Sequence, residues 1–186
     1  MKKHLTITLA LAAGLILASM PSASAEEFTC RRSVGSITVD NLRVPEGATC
    51  TLNGTTVKGT IKVESYATLR AEGVRVVGNV QAEDATRVVI RASSRIGGSV
   101  QIVQSGAAKV ANSHVKGDIL YDDNNRALKA LRNTVGGNVQ VFQNSGGVEI
   151  RGNHIDGNLQ CKENTPRPTG GGNTVDGSKE DQCARL

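Results

Sequence analysis

The sequence predicts an all-β protein, a parallel β-solenoid (β-helix) of about six to seven coils with roughly 20 residues in each coil. Three observations predict this fold class. Glycine recurs in phase along most of the chain, short segments of alternating apolar and polar residues accompany each glycine, and aromatic residues make up only 2% of the composition. One such repeat cannot bury its own apolar face, whereas stacked repeats bury a continuous core.

The first 25 residues have the features of a secretory signal peptide. Two lysines precede an apolar run over residues 5–20, and Ala23 and Ala25 flank a serine in a small-x-small cleavage motif. We therefore expect residues 1–25 to be removed after Ala25 and the protein to be secreted or periplasmic. A membrane anchor is the alternative, but the apolar run is short for a spanning helix.

The repeat is defined by seven glycines that lie 19 or 20 residues apart. These glycines are Gly59, Gly78, Gly98, Gly117, Gly137, Gly157 and Gly177. In Val139-Gln140-Val141, alternation directs the two valines to one face of a strand and the glutamine to the other. Each unit is thus predicted to hold two or three short strands separated by turns, and residues 57–161 to form the stacked repeats.

A leucine-rich repeat is the competing interpretation, because residues 148–155 fit its L-x-L-x-x-N-x-L core. Two features count against it. Valine and isoleucine dominate the apolar positions in place of leucine, and the other half of each unit also alternates as a strand. A leucine-rich repeat would place a helix or 3₁₀ turn there, so the solenoid is favoured.

The two ends depart from the repeat and are predicted to be caps. Residues 26–56 are expected to form an N-terminal cap and an irregular first coil, with an insertion between Gly35 and Gly59. Residues 162–186 are expected to form a C-terminal cap, because charged residues such as Lys179 occupy apolar positions there. Caps hide the open sheet edges of a solenoid, so a monomer or small oligomer is expected.

Four cysteines in an exported chain suggest two disulfides. Successive coils advance about 4.8 Å, which separates Cys50 from Cys161 by roughly 25 Å. Bridged cysteines need Cα atoms within about 7 Å of each other. The predicted pairs are therefore Cys30–Cys50 and Cys161–Cys183, each pinning one cap. Four free thiols are the alternative, and a zinc site is disfavoured because no C-x-x-C motif is present.

A solenoid stacks equivalent positions into columns, so like residues align without any functional cause. Two columns are rich in basic residues and are predicted to attract an anionic polysaccharide or lipid headgroups. Solvated charge is the simpler interpretation. The basic residues are Arg75, Arg95, His114 and His154 in one column, and Arg70, Lys109 and Lys129 in another.

Two further columns are polar. Gln81, Gln101, Gln140 and Gln160 are predicted to stack their amides on an outer face. A turn carrying acidic residues in several coils would place carboxylates about one rung apart, where they could hold a hard cation through oxygen ligands. The alternative, which we favour, is a solvated edge. The acidic residues are Glu64, Glu83, Asp84, Asp122, Asp123 and Glu163.

The sequence indicates no catalytic residue, metal site or cofactor. His114 and His154 fall two coils apart, roughly 10 Å along the axis, which is too far for one shared ion. Paired carboxylates also occur in glycosidases, but the turns are too short to build a cleft. No histidine has a recognisable serine or cysteine partner for nucleophilic catalysis.

The segments Gly78-Asn79-Val80-Gln81-Ala82 and Gly137-Asn138-Val139-Gln140-Val141 follow a G-N-[VI]-x-[AV] pattern. With this pattern the chain resembles secreted bacterial right-handed parallel β-helix proteins. It shows a weaker similarity to bactofilin-like, polymer-forming repeats. The resemblance implies right-handed coils and a capacity for self-association.

The expected function is that of a non-enzymatic secreted or cell-envelope protein that interacts through its solenoid faces. A cell-envelope polysaccharide or another envelope protein is the expected partner. A carbohydrate-binding or adhesin-like module is the alternative, and a polysaccharide-acting enzyme is a further one. A nucleic-acid partner is excluded by the scarcity of aromatic residues and the formal net charge of only +5. No integral membrane segment is expected after signal cleavage.

Overall fold

The computed structural model describes residues 26–186, so the predicted signal peptide at residues 1–25 lies outside the described residues. The described chain is an all-β parallel solenoid of about seven turns with roughly 20 residues per turn. Its strands form three parallel sheets, and each coil contributes one strand to each sheet. The predicted fold class is confirmed, and the leucine-rich repeat alternative is wrong.

Each sheet is named by the order in which the chain first enters it. The first sheet consists of β1 (Glu27–Thr29), β4 (Asn41–Val44), β7 (Ile61–Val63), β10 (Val80–Glu83), β13 (Val100–Val103), β16 (Ile119–Asp122), β19 (Val139–Phe142), β22 (Leu159–Lys162) and β25 (Lys179–Asp181). The second sheet consists of β2 (Ser33–Val34), β5 (Thr49–Asn53), β8 (Thr68–Glu72), β11 (Arg87–Arg91), β14 (Ala107–Ala111), β17 (Leu128–Leu131), β20 (Val148–Arg151) and β23 (Thr169–Gly171). The third sheet consists of β3 (Thr38–Val39), β6 (Thr56–Val57), β9 (Arg75–Val76), β12 (Arg95–Ile96), β15 (His114–Val115), β18 (Thr134–Val135), β21 (His154–Ile155) and β24 (Thr174–Val175).

The core is a stack of small and branched apolar residues that point inward from all three sheets. In the first sheet, one column of paired residues is almost completely buried along the chain: Val80, Val100, Ile119, Val139 and Leu159. This is the interior column that the sequence predicts. Tyr121 is the largest fully buried side chain, and its hydroxyl crosses the interior to donate to the Lys129 carbonyl at 2.9 Å.

The recurring glycines lie at the corner between the third and first sheets, where successive coils approach closely. A Cβ atom on Gly78 would lie 2.7 Å from the Gly59 carbonyl oxygen. A Cβ on Gly98 would collide with the side chain of Asn79 from the coil below. The period of about 20 residues that is visible in the sequence is therefore imposed by backbone contact between coils.

The expected insertion is wrong. The first coil is irregular because it is short: Phe28 pairs with Leu42, whereas Leu42 pairs with Ile61 one full coil later. The backbone N–H of Gly59 donates to the Asp40 carbonyl, and Val39 pairs with Val57. Asp40, rather than Gly35, is therefore the partner of Gly59 one coil earlier. Gly35 lies in the short turn between β2 and β3, so it does not mark the phase of the repeat.

Strands continue into the C-terminal segment at residues 162–186. β23, β24 and β25 extend all three sheets by one rung. Lys179 pairs with Leu159 but is exposed, which explains why an apolar residue is not required at that position. After β25 a short turn buries Cys183 and packs Leu186 against the end of the core.

Both predicted disulfides are confirmed. The Cα atoms of Cys30 and Cys50 lie 5.5 Å apart, and those of Cys161 and Cys183 lie 5.3 Å apart. All four cysteines are buried, and the described chain has no free cysteine. The free-thiol alternative is therefore wrong, and each bond ties an end of the stack to its neighbouring coil.

The corners contain buried polar ladders that sequence reasoning missed. Asn144 illustrates them: its Nδ2 donates to the Tyr121 carbonyl at 3.0 Å and to Asn164 Oδ1 at 2.9 Å. Its own Oδ1 accepts from the backbone N–H of Asn124 at 3.0 Å. The side chain thus replaces the bonds that turning backbone loses, which a buried corner requires.

Candidate functional site

The third sheet presents a column of basic side chains to solvent. Arg75 pairs with Arg95, and Arg95 pairs with His114, so three basic positions occupy consecutive rungs. Each side chain is exposed because the following residue, for example Ile96 after Arg95, turns inward and is buried. Alternation along these two-residue strands therefore fixes the direction of every charge in the column.

A second outward position lies two residues after the first on each rung of this sheet. On four successive rungs this position is occupied by Lys58, Val77, Gly97 and Lys116. Val77 is 53% exposed, an unusual exposure for a valine in this protein. Lys116 occupies this second position on the rung of His114, so it lies beside His114 and adds a charge to the basic column.

We define the basic face as Arg75, Arg95, His114, Lys116 and Arg132. Two shallow depressions meet on it and share Arg95 and His114 in their linings. One extends toward Arg75 and Lys116, and the other extends toward Arg132. Arg132 is held in place by a 2.8 Å hydrogen bond from its Nε to Asn112 Oδ1.

The charges of the basic face are not neutralised by neighbouring acids. Among residues 26–186, Arg75, Arg95 and Lys116 form no ion pair. Some basic residues elsewhere are paired: Lys58 Nζ lies 3.0 Å from Asp40 Oδ1, and Lys129 Nζ lies 2.9 Å from Glu149 Oε2. Within the described residues, Arg70 and Lys109 of the second sheet also form no ion pair. Like charges on adjacent strands are destabilising, so the face keeps a positive potential at a cost in stability.

The second predicted basic column lies on a different sheet. Arg70 and Lys109 are both in the second sheet, where Val89 lies between them. Lys129 follows on the next rung and is paired with Glu149, and the positive side chains there hold the pKa of Glu149 below its usual value. The structure therefore does not join the two columns into one strip.

His154 belongs to the same column as His114, but its surroundings are acidic. Thr134 separates the two histidines. The His154 Nε2 atom lies 3.5 Å from Asp156 Oδ1, and ligand atoms of His154, Asp156 and Asp176 all lie within 4.8 Å of one another. Sequence reasoning missed both aspartates, although each directly precedes a glycine of the repeat, where earlier coils carry lysine, valine or glycine.

The glutamine column on the first sheet forms as predicted. Gln81 Nε2 donates to Gln101 Oε1 at 3.0 Å, and Gln140 Nε2 donates to Gln160 Oε1 at 3.1 Å. Leu120 interrupts the column between Gln101 and Gln140. These amides satisfy one another, so the column is explained as a stabilising stack.

In the early coils the acidic turn brings carboxylates of successive coils together, because Glu64, Glu83 and Asp84 line one shallow depression. The later coils interrupt this stack. Asp122 lies between Val103 and Phe142 of the neighbouring rungs. Burial raises the pKa of Asp122, and the charge of Asp123 raises it further. From Glu83 to Phe142 the outward column of this sheet thus alternates acidic and apolar side chains, which separates Asp122 from the carboxylates of neighbouring coils.

Comparison with known proteins gives no match to a family model, a curated protein or a solved structure. Within residues 26–186, no helix is long and apolar enough to cross a membrane. The two disulfides indicate an oxidising, extracellular environment. Fold and faces together define a disulfide-bonded β-solenoid whose third sheet carries a concentrated, unpaired basic surface.

Proposed function

We propose that the protein is a non-enzymatic interaction protein of the cell envelope or of the secreted fraction, and that its basic face binds an anionic polysaccharide. The observation that carries the proposal is the row of Arg75, Arg95 and His114 on consecutive rungs, with Lys116 beside it and no acidic partner. Charges that reduce stability are retained most readily where a ligand of opposite charge uses them.

The shape of the basic face favours a polymer over a small ligand. Small-molecule sites are typically concave and enclosed, whereas the depressions at Arg95 and His114 are shallow and continuous with the sheet surface. Rungs about 4.8 Å apart repeat the cations along a line. A polymer with a carboxylate or sulfate on successive sugars can engage several of these cations at once, which multiplies weak contacts.

Export of the chain is part of the same proposal. The signal-peptide features of residues 1–25 and the two buried disulfides support passage into an oxidising compartment, secreted or periplasmic. We include in this proposal the resemblance of the sequence to secreted bacterial β-helix proteins. In such a compartment, envelope polysaccharides are an abundant source of fixed negative charge.

A polysaccharide-acting enzyme is the second candidate, and one observation favours it. The carboxyl group of Asp122 has a raised pKa beside the carboxylate of Asp123. Glycoside hydrolysis uses a pair of carboxyl groups, and Asp122 and Asp123 are such a pair in sequence. Release of reducing sugars from uronate polymers by the wild-type protein, and its loss in Asp122→Asn, would replace the binding proposal with this one.

The binding proposal is tested by matched charge removal on two sheets. Arg75→Gln with Arg95→Gln removes two charges from the basic face, whereas Arg70→Gln with Lys109→Gln removes two from the second sheet. Binding to immobilised sulfated and uronate polysaccharides should fall at least about tenfold in the first double variant and change little in the second. Equal losses, or equal binding to a neutral glucan, would contradict the proposal.

A further inference from the structure

His154, Asp156 and Asp176 form a compact group of potential metal ligands near the C-terminal end of the third sheet. One ligand atom from each side chain lies within 4.8 Å of the other two. All three side chains are exposed. From this convergence we propose that the group is a binding site for a divalent transition metal ion such as Zn²⁺, independent of the basic face.

The backbone holds the three positions rigidly. His154 and Asp156 point to the same side because Ile155 between them is completely buried. The backbone N–H of Asp156 donates to the Val135 carbonyl at 2.9 Å, and that of Asp176 donates to the Ile155 carbonyl at 2.9 Å. Asp176 therefore lies one rung beyond Asp156. His154 lies in β21, and the two aspartates directly follow β21 and β24, so the backbone positions of all three residues are fixed.

The geometry fits a small ion after minor side-chain rotation. Zinc bonds to histidine nitrogen and carboxylate oxygen are about 2.0–2.2 Å long, which places tetrahedral ligand atoms about 3.3 Å apart. The ligand atoms of the group lie within 4.8 Å of one another, so rotation of the exposed side chains has to bring them closer by up to about 1.5 Å. Three protein ligands leave a fourth position for water.

The electrostatics also favour a cation at this position. Asp156 and Asp176 are acidic residues one rung apart, and like charges on adjacent strands repel. Within the described chain the sole ion-pair partner of either aspartate is His154, at 3.5 Å from Asp156. A divalent ion would neutralise both carboxylates. The imidazole nitrogen selects a transition metal over calcium, which prefers oxygen ligands.

The column itself supplies a matched control. His114 occupies the same outward position two rungs earlier, but Lys116 and Gly136 stand where Asp156 and Asp176 stand beside His154. A surface histidine without carboxylate neighbours is thus present in the same protein. His114→Ala should leave metal binding unchanged, whereas His154→Ala should weaken it.

The test is titration of the untagged full chain with Zn²⁺ by calorimetry, with Ca²⁺ as the comparison ion. One ion should bind per chain, with an affinity at least about tenfold lower in His154→Ala and in Asp156→Asn with Asp176→Asn. Zn²⁺ should also raise the thermal midpoint of the wild type and of His114→Ala, but not that of the double aspartate variant. These aspartates are exposed, so the variants are expected to fold.

Three results would overturn the proposal. The first is the absence of one-to-one Zn²⁺ binding by the wild type, and the second is an equal loss of affinity in His114→Ala and His154→Ala. The third is Ca²⁺ binding as tight as Zn²⁺ binding, which would show that His154 is not a ligand. None of these results bears on polysaccharide binding, because the basic face uses other residues.

Discussion

The early and late coils of the solenoid have the same interior but different corners. At the corner between the first and second sheets, the buried residue changes along the chain from alanine to serine to asparagine. Its successive occupants are Ala48, Ala67, Ala85, Ser105, Asn124, Asn144 and Asn164. The corner between the second and third sheets changes from threonine and valine to serine and then to asparagine: Thr55, Val74, Ser94, Ser113, Asn133, Asn153 and Asn173.

This change alters which backbone groups each corner satisfies. In the early coils the turn closes on itself: the N–H of Ala48 donates to the Pro45 carbonyl, and that of Ala67 donates to the Glu64 carbonyl. In the late coils the N–H of Asn144 instead donates to the side chain of Asn164 in the next coil. The late corners therefore add bonds between coils, and we expect the late coils to unfold more cooperatively.

The largest predicted effect tests whether the interior is uniform. Val80→Asp in an early coil and Val139→Asp in a late coil each bury a carboxylate in the same fully apolar column. Both should unfold the protein, because an unpaired buried charge costs more than about 4 kcal/mol. Circular dichroism and urea unfolding measure this.

Gln140→Asp, next to Val139 but facing outward, is the control for the interior substitutions and should be tolerated. If Val139→Asp and Gln140→Asp were equally harmful, the assignment of inner and outer faces in the first sheet would fail. If Val80→Asp were mild while Val139→Asp unfolded the chain, the interior would not be uniform.

The next effect compares the two kinds of corner directly. Asn144→Ala removes the side-chain partner of several buried groups, among them the N–H of Asn124 and the carbonyl of Tyr121. Ser105→Ala removes hydroxyl bonds to the Ala85 N–H and the Val103 carbonyl. Unfolding free energies should fall by about 3–5 kcal/mol and about 1–2 kcal/mol, respectively. Equal losses would show that the ladder adds nothing beyond single bonds.

The disulfides give a third comparison, at the two ends. Replacing Cys30 and Cys50 by serine, or Cys161 and Cys183 by serine, removes a loop closure worth about 3 kcal/mol in the chain-entropy model. The early end has no asparagine ladder, so its coils should also fray: amide protons of β2 and β5 should exchange faster in the first variant. The late ladder should limit such fraying in the second.

Hydrogen exchange measured by mass spectrometry distinguishes the two disulfide variants. Protection lost equally at both ends would mean that the disulfides, rather than the corner ladders, determine local stability. A loss of protection confined to the late end would show that the early coils, rather than the late coils, are the more resistant to fraying.

Features that follow from the repeat period could be predicted from the sequence. Features that depend on side-chain contacts between neighbouring coils could not. Alternation in Val139-Gln140-Val141 and the glycine spacing were enough to assign the interior column and the two disulfide pairs. The buried asparagines were missed because asparagine ordinarily signals an exposed turn. Their burial becomes evident only when Asn144 and Asn164 are stacked, so that Asn144 donates to the side chain of Asn164.

The same reason explains the partial success at the candidate site. Phase alone placed Arg75, Arg95 and His114 in one column. It did not show that Arg70 lies on another sheet, nor that Asp176 lies beside His154 from the next coil. Those relations depend on which outward positions share a corner, and this is set by turn geometry that the repeat pattern leaves open.

The smallest predicted effect concerns the coil in which the asparagine ladder begins. Asp122 lies two residues before Asn124, and burial raises the pKa of its carboxyl group. A raised pKa means that the native state binds the proton more tightly than the unfolded state. This carboxyl group therefore favours folding below its ordinary pKa, and that contribution is lost as the pH rises through the raised value.

Asp122→Asn removes the carboxylate that is desolvated in the folded state. It should therefore stabilise the protein at neutral pH by less than about 1 kcal/mol, since solvent screens a partly exposed group. Urea midpoints of the two proteins should converge at about pH 3 and separate toward about pH 7. Asp123→Asn is the matched control: it keeps Asp122 ionisable and removes a repelling charge, so it should retain part of the pH dependence. Midpoints that separate toward low pH instead would mean that Asp122 is stabilised as a carboxylate, and its apolar neighbours Val103 and Phe142 would not control its titration.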